Sequence, residues 1–590
     1  GLLVGLDLPS RHPEPWERAG VGAIRERAIE AILEFLDAAI RNAPATVMVL
    51  EDIHWADEDS LALLEQVATS AADRPLLMLC LTRPTFLERR PHWPGEEPIG
   101  ALSLPVRPLD EAGSRDLVLS ILRKLPDTPP SLVDLIIRSA AGNPYYVEEL
   151  VRVLIEDGII VTGQDDWYFR PRELIRLRVP ATLTGVLQAR LDRLPEAERA
   201  ILQQAAVIGD EFWTGAVQLL NQAARFPYPD ERIIQTLNSL EQRDMIVRSA
   251  SGGSGSYLFR HTLLREVAYE SVLLRDRPSY HLQAARWLES QRGDRSEDYA
   301  APIARHYKHA GRPAEAARMY MQAAARATDQ FKLPAAIDFY RKALDLLRSL
   351  PQHLDEQLEA LERLGRLLWR RGRLIEARDI YRELHDSAGL DGNLLIQARA
   401  GNELATMALE MGDARQAMAE ATGAEQSARL TGADIEQIDA LILQAEAVGQ
   451  SDARASAVEV ARRALESASS LYAPRRFAHA SSLIAQFSDD AVRRNTALRE
   501  MRSLAEALAG QGQTDDAVYA FGQLGEGLLA LGRPKEAREA LAHALATQRD
   551  GGSRGELIEL LRLDGLAACR LGDTGAALSL LEKAESLADE

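Results

Sequence analysis

Two adjacent carboxylates, Glu51 and Asp52, directly follow the apolar segment Thr46–Leu50 (TVMVL). A short β-rich apolar run is typical of a strand buried on both faces of a parallel sheet, and ligands bind at the carboxyl edge of such sheets. Acids at this edge can hold Mg²⁺ directly or through water, and one of them can orient an attacking water. The alternative, acids that only cap the next helix, suits Asp57 and Asp59 better. We therefore predict that Glu51 and Asp52 are the catalytic, Mg²⁺-binding pair, with the division of roles between them open.

The flanking segments predict the elements that position this edge. Apolar residues recur at helical spacing over Ala23–Ile40 and again over Ser60–Ala72. Pro75–Thr82 is predicted as a second buried strand and Leu102–Leu104 as a third. Strand, helix and strand in this order indicate an α/β domain.

Beyond residue 108 the pattern becomes mainly helical. Helices are predicted at Glu111–Leu125, Ser131–Ala141 and, after a Gly-Asn-Pro break, Tyr145–Glu156, which together would form a helical lid. Gly158–Val161 and Trp167–Phe169 flank the turn-forming residues GQDD and predict a hairpin.

A second group of elements follows. Three helices are predicted at Leu183–Leu194, Glu196–Val207 and Ile233–Gln242. Met245–Arg248 and Tyr257–Arg260 flank the linker-like segment SASGGSGS and predict a second hairpin. Three helices and a hairpin predict a winged helix with a flexible wing tip.

A repeated pattern, in which Ala follows Gly after five positions, occupies the rest of the chain from about residue 296. It occurs at Gly311/Ala316, Gly372/Ala377, Gly412/Ala417, Gly512/Ala517, Gly532/Ala537 and Gly572/Ala577. The intervals between these glycines are 61, 40, 100, 20 and 40 residues, which are close to multiples of one helix plus one turn. Glycine can end a helix in the left-handed conformation, and alanine permits close helix crossing. We predict a solenoid similar to tetratricopeptide repeats, with a period nearer 40 residues than about 34 and a weak signal over 413–510.

Two strings at the strand ends resemble motifs of one protein family. VMVLEDIHWADEDSL at 47–61 resembles the Walker B segment of STAND-class P-loop ATPases, which occur in large LuxR-type regulators and beside class III nucleotide cyclases. LLMLCLTRP at 76–84 resembles the family's sensor strand, which implies that Thr82 and Arg83 lie beside the γ-phosphate. Arginine suits this role because its guanidinium can pair two phosphate oxygens. An arginine after a strand is otherwise an ordinary surface residue.

Two later strings extend the resemblance. SAAGNPYYVEEL at 139–150 is similar to the lid motif, which implies that Pro144 lies near the adenine, although proline is also a good first residue of a helix. YLFRHTLLREVAYESVL at 257–273 resembles the winged-helix segment whose histidine reaches the β-phosphate of ADP. The resemblance gives that role to His261, whereas a lone histidine is more often packed or solvated.

A P-loop of the form G-x4-G-K-[ST] is needed to cradle the phosphates, yet no Gly-Lys dipeptide occurs in the chain. We expect the loop to precede Gly1. The predicted domains are the C-terminal part of a P-loop ATPase (1–108), a helical lid (109–170), a winged helix (171–295) and the solenoid (296–590). The predicted fold class is thus a partial α/β P-loop NTPase core followed by mainly α structure.

Composition narrows the functions. A net charge of −19 opposes extensive nucleic-acid binding, and Cys80 and Cys569 are too few for a disulfide framework or a cysteine-rich zinc site, which fits the cytoplasm. No apolar run reaches the roughly 18 residues that span a bilayer.

The resemblance implies an ATP/ADP- and Mg²⁺-dependent signalling switch that hydrolyses ATP in the full-length protein. Its solenoid would sense a protein or small-molecule inducer, and its nucleotide could drive self-association. It would regulate transcription or an attached cyclase or kinase. The alternatives are a non-enzymatic interaction scaffold with a degenerate ATPase remnant, and the regulatory part of a class III adenylate or guanylate cyclase. The stretch itself contains no recognisable cyclase core.

Overall fold

The computed structural model describes residues 45–56, 58–70, 75–91, 102–126, 128–163, 166–171, 182–249, 255–291, 299–330, 332–450, 453–548 and 554–589, with a few isolated positions before residue 102. The contacts within the chain separate residues 100–323 from the remainder, and the parts are described one by one. The predicted domain boundaries stay predictions.

The N-terminal part holds two parallel strands. Strand β1 (Thr46–Leu50) pairs with β2 (Leu76–Cys80), and helix α1 (Glu58–Ser70) connects them as predicted. Helix α2 (Pro84–Arg89) follows β2. The predicted helix over 23–40 lies outside the described residues except at 34–36 and 38, which are helical.

Two predictions about the strands are wrong. Residues 102–104 form no strand, because Leu102 and Leu104 are 76% and 72% exposed and pair with nothing in the described chain. Burial of β1 on both faces is also not observed, since Val47 and Val49 are 55% and 53% exposed. Among the described residues only two strands belong to this sheet.

Residues 100–323 begin with the predicted lid helices. Helices α3 (Glu111–Ile121), α4 (Pro130–Ala140) and α5 (Pro144–Glu156) bury one continuous apolar cluster. Strands β3 (Ile160–Thr162) and β4 (Trp167–Phe169) then form the predicted antiparallel hairpin. Two residues of its turn, 164 and 165, lie outside the described structure.

A second apolar cluster organises the elements that follow. They are α6 (Leu183–Asp192), α7 (Glu196–Ile208), β5 (Glu211–Trp213), α8 (Thr214–Gln222), α9 (Asp230–Gln242), β6 (Ile246–Arg248), β7 (Ser256–Phe259), α10 (Thr262–Glu270) and α11 (Arg277–Ser290). The antiparallel sheet has the order β5-β7-β6. The predicted three helices and hairpin are present, and β5 and α8 are additional. The predicted wing tip at 250–254 lies outside the described residues.

Stacked helices form the C-terminal part, as the repeat predicts. Helices α12 (Ala300–His309), α13 (Pro313–Asp329) and α14 (Leu333–Leu347) come first. The first helix of each following pair is α15 (Leu354–Arg370), α17 (Leu394–Glu410), α19 (Asp434–Gln450), α21 (Pro474–Phe487), α23 (Thr514–Ala530) and α25 (Arg554–Arg570). The second is α16 (Leu374–Asp391), α18 (Ala414–Thr431), α20 (Arg454–Ser470), α22 (Ala491–Gly510), α24 (Pro534–Thr547) and α26 (Thr574–Asp589). The first helices start at intervals of 40 residues, so the predicted period is confirmed.

The Gly-x4-Ala pattern has the predicted structural basis. All six of its glycines have positive φ, between 68° and 80°, and the paired alanines are at most 6% exposed. The period also continues through the segment with the weak signal, where Tyr472 adopts φ 52° without being glycine. The solenoid is therefore continuous across 413–510 even though its turn residues change. Among the described residues no helix is both long and apolar enough to cross a membrane.

Close helix packing predicts opposite effects for two glycines inside helices. A Cβ at Gly365 in α15 would meet the Tyr381 ring at 2.8 Å, whereas a Cβ at Gly423 in α18 would meet nothing within 4 Å. Gly365→Ala should destabilise the solenoid by about 1–3 kcal/mol through overpacking. The matched control Gly423→Ala should stabilise it by up to about 1 kcal/mol through helix propensity. Thermal unfolding followed by circular dichroism checks both, and equal shifts for the two variants would contradict the packing described.

Candidate nucleotide-binding site

The parallel pairing of β1 and β2 brings four predicted site residues to one edge. Beyond the strand ends, the Leu81 amide donates to the Leu50 carbonyl at 2.8 Å, and the Ile53 amide donates to the Leu81 carbonyl at 3.1 Å. Glu51 and Asp52 therefore leave β1 beside the point where Thr82 and Arg83 leave β2. All four residues are exposed. The arrangement matches the predicted metal and phosphate edge.

Asp52 has an unusual backbone conformation. Its φ of 54° lies in the left-handed region, and the residue opens a short 3-10 turn, Ile53–Trp55. Its carboxylate is 67% exposed and does not cap that turn. Left-handed non-glycine residues are strained and cluster at functional sites. The free direction of the carboxylate suits a ligand better than a structural capping role.

His54 is a neighbour that the sequence analysis left without a role. Its side chain is 7% exposed, and Nδ1 lies 3.7 Å from Asp52 Oδ1. The string that resembles Walker B contains His54 two positions after Asp52, which is the signal that could have singled it out. A buried imidazole beside Asp52 can orient that carboxylate.

The acidic pair fits Mg²⁺ in the chemistry of its donors. Carboxylate oxygens are the hard ligands that Mg²⁺ takes, usually one or two of them together with waters and phosphate oxygens. The described residues contain no cluster of three or more His, Cys, Asp or Glu side chains that could hold a metal. Glu51 and Asp52 would therefore share the ion with water or a nucleotide. The capping alternative concerns Asp57 and the Asp59 side chain, which lie outside the described structure.

Thr82 and Arg83 join β2 to helix α2. Arg83 is the residue before the helix, in an extended conformation, and Pro84 takes the first helical position. The Thr82 hydroxyl makes only a long contact of 3.5 Å with the Arg83 carbonyl. Neither side chain is fixed by packing, so both can turn towards an anion at this edge.

Pro144 occupies the first position of α5 in the lid. The preceding Asn143 caps the helix, since its side-chain oxygen accepts from the Tyr146 amide at 3.2 Å. Gly142 has φ 81°, and a Cβ there would lie 2.4 Å from the Leu109 carbonyl oxygen. This geometry accounts for the Gly-Asn-Pro string as a helix start. It explains Pro144 as the first residue of a helix. The predicted position of Pro144 beside adenine stays a prediction.

His261 precedes α10 and lies against the start of the lid helix. Its ring centroid is 4.0 Å from that of Tyr145, the residue after Pro144. Burial is the main cause that lowers the pKa of His261 below its ordinary value, so the imidazole is neutral at pH 7. The structure thus brings the lid motif and the predicted phosphate histidine together within residues 100–323.

A buried ion cluster holds these two segments in place, and the sequence analysis did not find it. Arg190 on α6 is 3% exposed and donates to Glu149 at 2.8 Å and to Glu156 at 3.0 Å, both on α5. A third nitrogen donates to the Arg243 carbonyl at 2.8 Å. Burial acts to lower the pKa of Arg190, but the two carboxylates outweigh it and raise that pKa. The cluster ties the lid helix to the elements that carry His261.

Loss of Arg190 should therefore loosen this part of the chain. Arg190→Ala should cost about 3–5 kcal/mol, because it leaves the buried Glu149 carboxylate with only the more distant Arg152 guanidinium, at 3.6 Å. The control Arg193→Ala removes a cation that is 40% exposed and pairs with Asp157 at 2.7 Å, and it should cost under about 1 kcal/mol. Hydrogen exchange of residues 144–156 checks this pair of variants. Equal protection in both would contradict the assigned role.

Comparisons with known proteins agree with the N-terminal prediction. Residues 3–79 match the family model described as AAA ATPase domain. The match confirms the ATPase resemblance predicted from the sequence: residues 3–79 are similar to an AAA ATPase domain and precede the helical repeats.

A curated relative from Rhizobium meliloti (strain 1021), named uncharacterized protein R02095, is 28% identical over 347 residues, or 58% of this chain. That alignment covers 32% of the relative, so the chain matches about a third of its length.

Among solved structures, one similar chain is a Signal Transduction ATPase with Numerous Domains (STAND) protein with a tetratricopeptide repeat sensor from Pyrococcus horikoshii. It is 11% identical, with 96% of this chain and 83% of that chain covered and a TM-score of 0.40. Another is the apo form of the quorum sensor NprR from B. thuringiensis. It is 13% identical, with 68% and 97% covered and a TM-score of 0.34.

Proposed function

We propose that this chain is the switching and sensing part of a signalling ATPase that ATP, ADP and Mg²⁺ control. One observation carries the proposal. Strands β1 and β2 present two carboxylates, within the AAA ATPase match over residues 3–79, and a threonine-arginine pair, just beyond that match, at the same edge. These are the residue types that hold a metal and a phosphate.

Each predicted residue has a role in this proposal. Glu51 and Asp52 hold Mg²⁺, and one of them orients the attacking water. Arg83 and Thr82 bind the γ-phosphate, and Pro144 borders the adenine. His261, neutral at pH 7, makes a hydrogen bond to the β-phosphate of ADP without adding charge. Mg²⁺ would neutralise the charge that develops on the transferred phosphate.

The proposed switch alternates between a closed ADP-bound state and an open ATP-bound state. The Arg190 cluster makes the lid and the elements around His261 move as one body, in which those elements act as a winged-helix clamp. An inducer on the solenoid shifts the balance only if it binds the open state more tightly. The output is control of transcription or of an attached cyclase or kinase, and the protein works in the cytoplasm.

A second candidate function is a non-enzymatic scaffold whose solenoid binds proteins. It is favoured by the lack of a G-x4-G-K-[ST] string in these 590 residues. The third is the regulatory part of a class III nucleotide cyclase. The reading frame around this stretch separates them, because the absence of a P-loop within about 150 residues upstream would favour the scaffold, and a cyclase core would identify the third.

Asp52 gives the biochemical test. In the full-length protein, Asp52→Asn should lower Mg²⁺-dependent ATP hydrolysis on the order of 100-fold, because a preorganised charge is lost from the phosphate site. Asp116→Asn, at an exposed lid carboxylate, is the control and should leave the rate unchanged. Equal hydrolysis by wild type and Asp52→Asn would remove the role assigned to Asp52.

Residues 1–590 alone should bind ATP weakly or not at all, since they contain no phosphate cradle. Isothermal titration with Mg-ATP checks this expectation. Micromolar affinity of the isolated stretch would contradict it.

A further inference from the structure

A polar cavity of about 300 Å³ lies on the solenoid between α15, α17 and α19. It is small for a drug-sized ligand but large enough for one side chain or a small amine. Charged residues from four successive repeats line it, the last of them Arg476 on α21, together with Asn402 on α17. They are Glu362, Arg366, Arg399, Glu403, Glu436, Asp439 and Arg476.

Six of these seven charges are paired with one another. Arg366 donates to Glu362 at 2.9 Å, and Arg399 donates to Glu436 at 2.7 Å. Arg476 binds Asp439 through two hydrogen bonds of 2.7 Å. Each arginine therefore has a carboxylate partner, and the cavity offers an anionic ligand no unpaired cation.

Glu403 is the seventh charge. Within the described chain its carboxylate accepts no hydrogen bond, and Arg366 is the only cation among its main electrostatic neighbours. Burial is the main cause that raises the pKa of Glu403 to about 6. The adjacent Asn402 is held by the hydrogen bond that its side-chain nitrogen donates to the Glu436 carbonyl at 2.9 Å. Glu403 is thus the one charge of the lining without a partner among the described residues.

The repeat itself argues against a purely structural role for Glu403. The positions 40 residues before and after it, which are equivalent in the neighbouring repeats, hold Arg363 and Leu443. Stacking of the repeats therefore does not require a carboxylate at this place. The Glu403 carboxylate is half-buried and unpaired, so it can accept a hydrogen bond from a ligand in the cavity.

We propose that this cavity binds a ligand through a cationic nitrogen, an ammonium or guanidinium group, which donates a hydrogen bond to Glu403. Such a ligand completes the charge pairing of the cavity. The group can belong to a small amine or to a basic side chain of a peptide. Binding is inferred from the cavity alone. The effect of binding on signalling rests on the proposed function, in which the solenoid is the sensor.

Binding should depend on pH with a defined sign. The charged and titratable groups that face Glu403 are Arg366 and Glu362 on α15, Tyr381 on α16, Glu410 on its own helix and Asp439 on α19. A carboxylic acid with a raised pKa is neutral below that value and charged above it. Affinity for a cation should therefore rise as the pH increases from 5 to 7, while a lysine side chain stays charged throughout.

The test uses the whole chain and two pairs of probes. N-acetyl-lysine amide and its neutral isostere N-acetyl-norleucine amide represent a small amine and its control. An alanine-rich peptide with one central lysine, and the same peptide with norleucine, represent a peptide partner. Saturation-transfer NMR and titration calorimetry should show binding of a lysine probe and not of its isostere. If the lysine peptide binds and the single residue does not, the cationic group belongs to a peptide. If both bind, the amine is sufficient by itself.

Two variants locate the site. Glu403→Gln keeps the shape and should weaken binding of the lysine probe about tenfold or more, because it removes a charge-assisted hydrogen bond. Asp391→Asn removes the same charge from an exposed position at the end of α16, outside the cavity lining, and should change affinity less than about twofold. Thermal unfolding of Glu403→Gln should match or exceed that of wild type, which excludes loss by unfolding.

Equal affinity of Glu403→Gln and wild type would overturn the proposal, as would equal binding of the isostere or no binding of either lysine probe. These outcomes are independent of ATP hydrolysis. Failure of the Asp52→Asn prediction with lysine binding intact would remove the ATPase role and leave this site in place.

Discussion

Turns that recur about every 20 residues set the helix spacing of residues 354–589, and most of those described are left-handed. Each interval holds one helix and one turn, so every second helix begins at an equivalent position 40 residues later. Side chains at equivalent positions therefore line up along the stack, as Arg363, Glu403 and Leu443 do. A cavity lined by four repeats needs this regular spacing, since a shift of one residue would rotate each helix by about 100° and separate the charges. The turns thus fix the geometry in which Glu403 remains the unpaired charge.

The ATPase-related features depend on two other contacts. Parallel pairing continues past the ends of β1 and β2 through Leu50 and Leu81, and this places the acidic pair beside Thr82 and Arg83. In residues 100–323, the Arg190 cluster and the contact of Tyr145 with His261 join the lid motif to the histidine.

Much of the architecture was accessible from the sequence because it depends on local patterns. The strands Thr46–Leu50 and Leu76–Cys80, the lid helices and the repeat period follow from apolar spacing and turn residues. Strand β5 was missed because its three residues acquire their structure by pairing with β7, about 45 positions later. The predicted strand at Leu102–Leu104 was wrong because this apolar run has no pairing partner among the described residues.

The ionic features could not be predicted from the sequence. Arg190 meets Glu149, Glu156 and the Arg243 carbonyl across 34 to 53 residues of chain, and no local pattern marks those pairs. Glu403 looks like any other charged helix residue until the pairing of its six neighbours is known. The predicted catalytic pair, Glu51 and Asp52, could be identified from the sequence, because carboxylates that directly follow a short apolar strand form a local pattern.

The central claim is that the solenoid controls the nucleotide site, and nucleotide release tests it most directly. The measurement is the dissociation rate of a fluorescent ADP analogue from the full-length protein, before and after saturation of the solenoid cavity with the lysine peptide. The account predicts faster ADP release with the peptide and no change with its norleucine counterpart, because only a ligand that favours the open state can shift the switch. An unchanged release rate at saturating lysine peptide would contradict it.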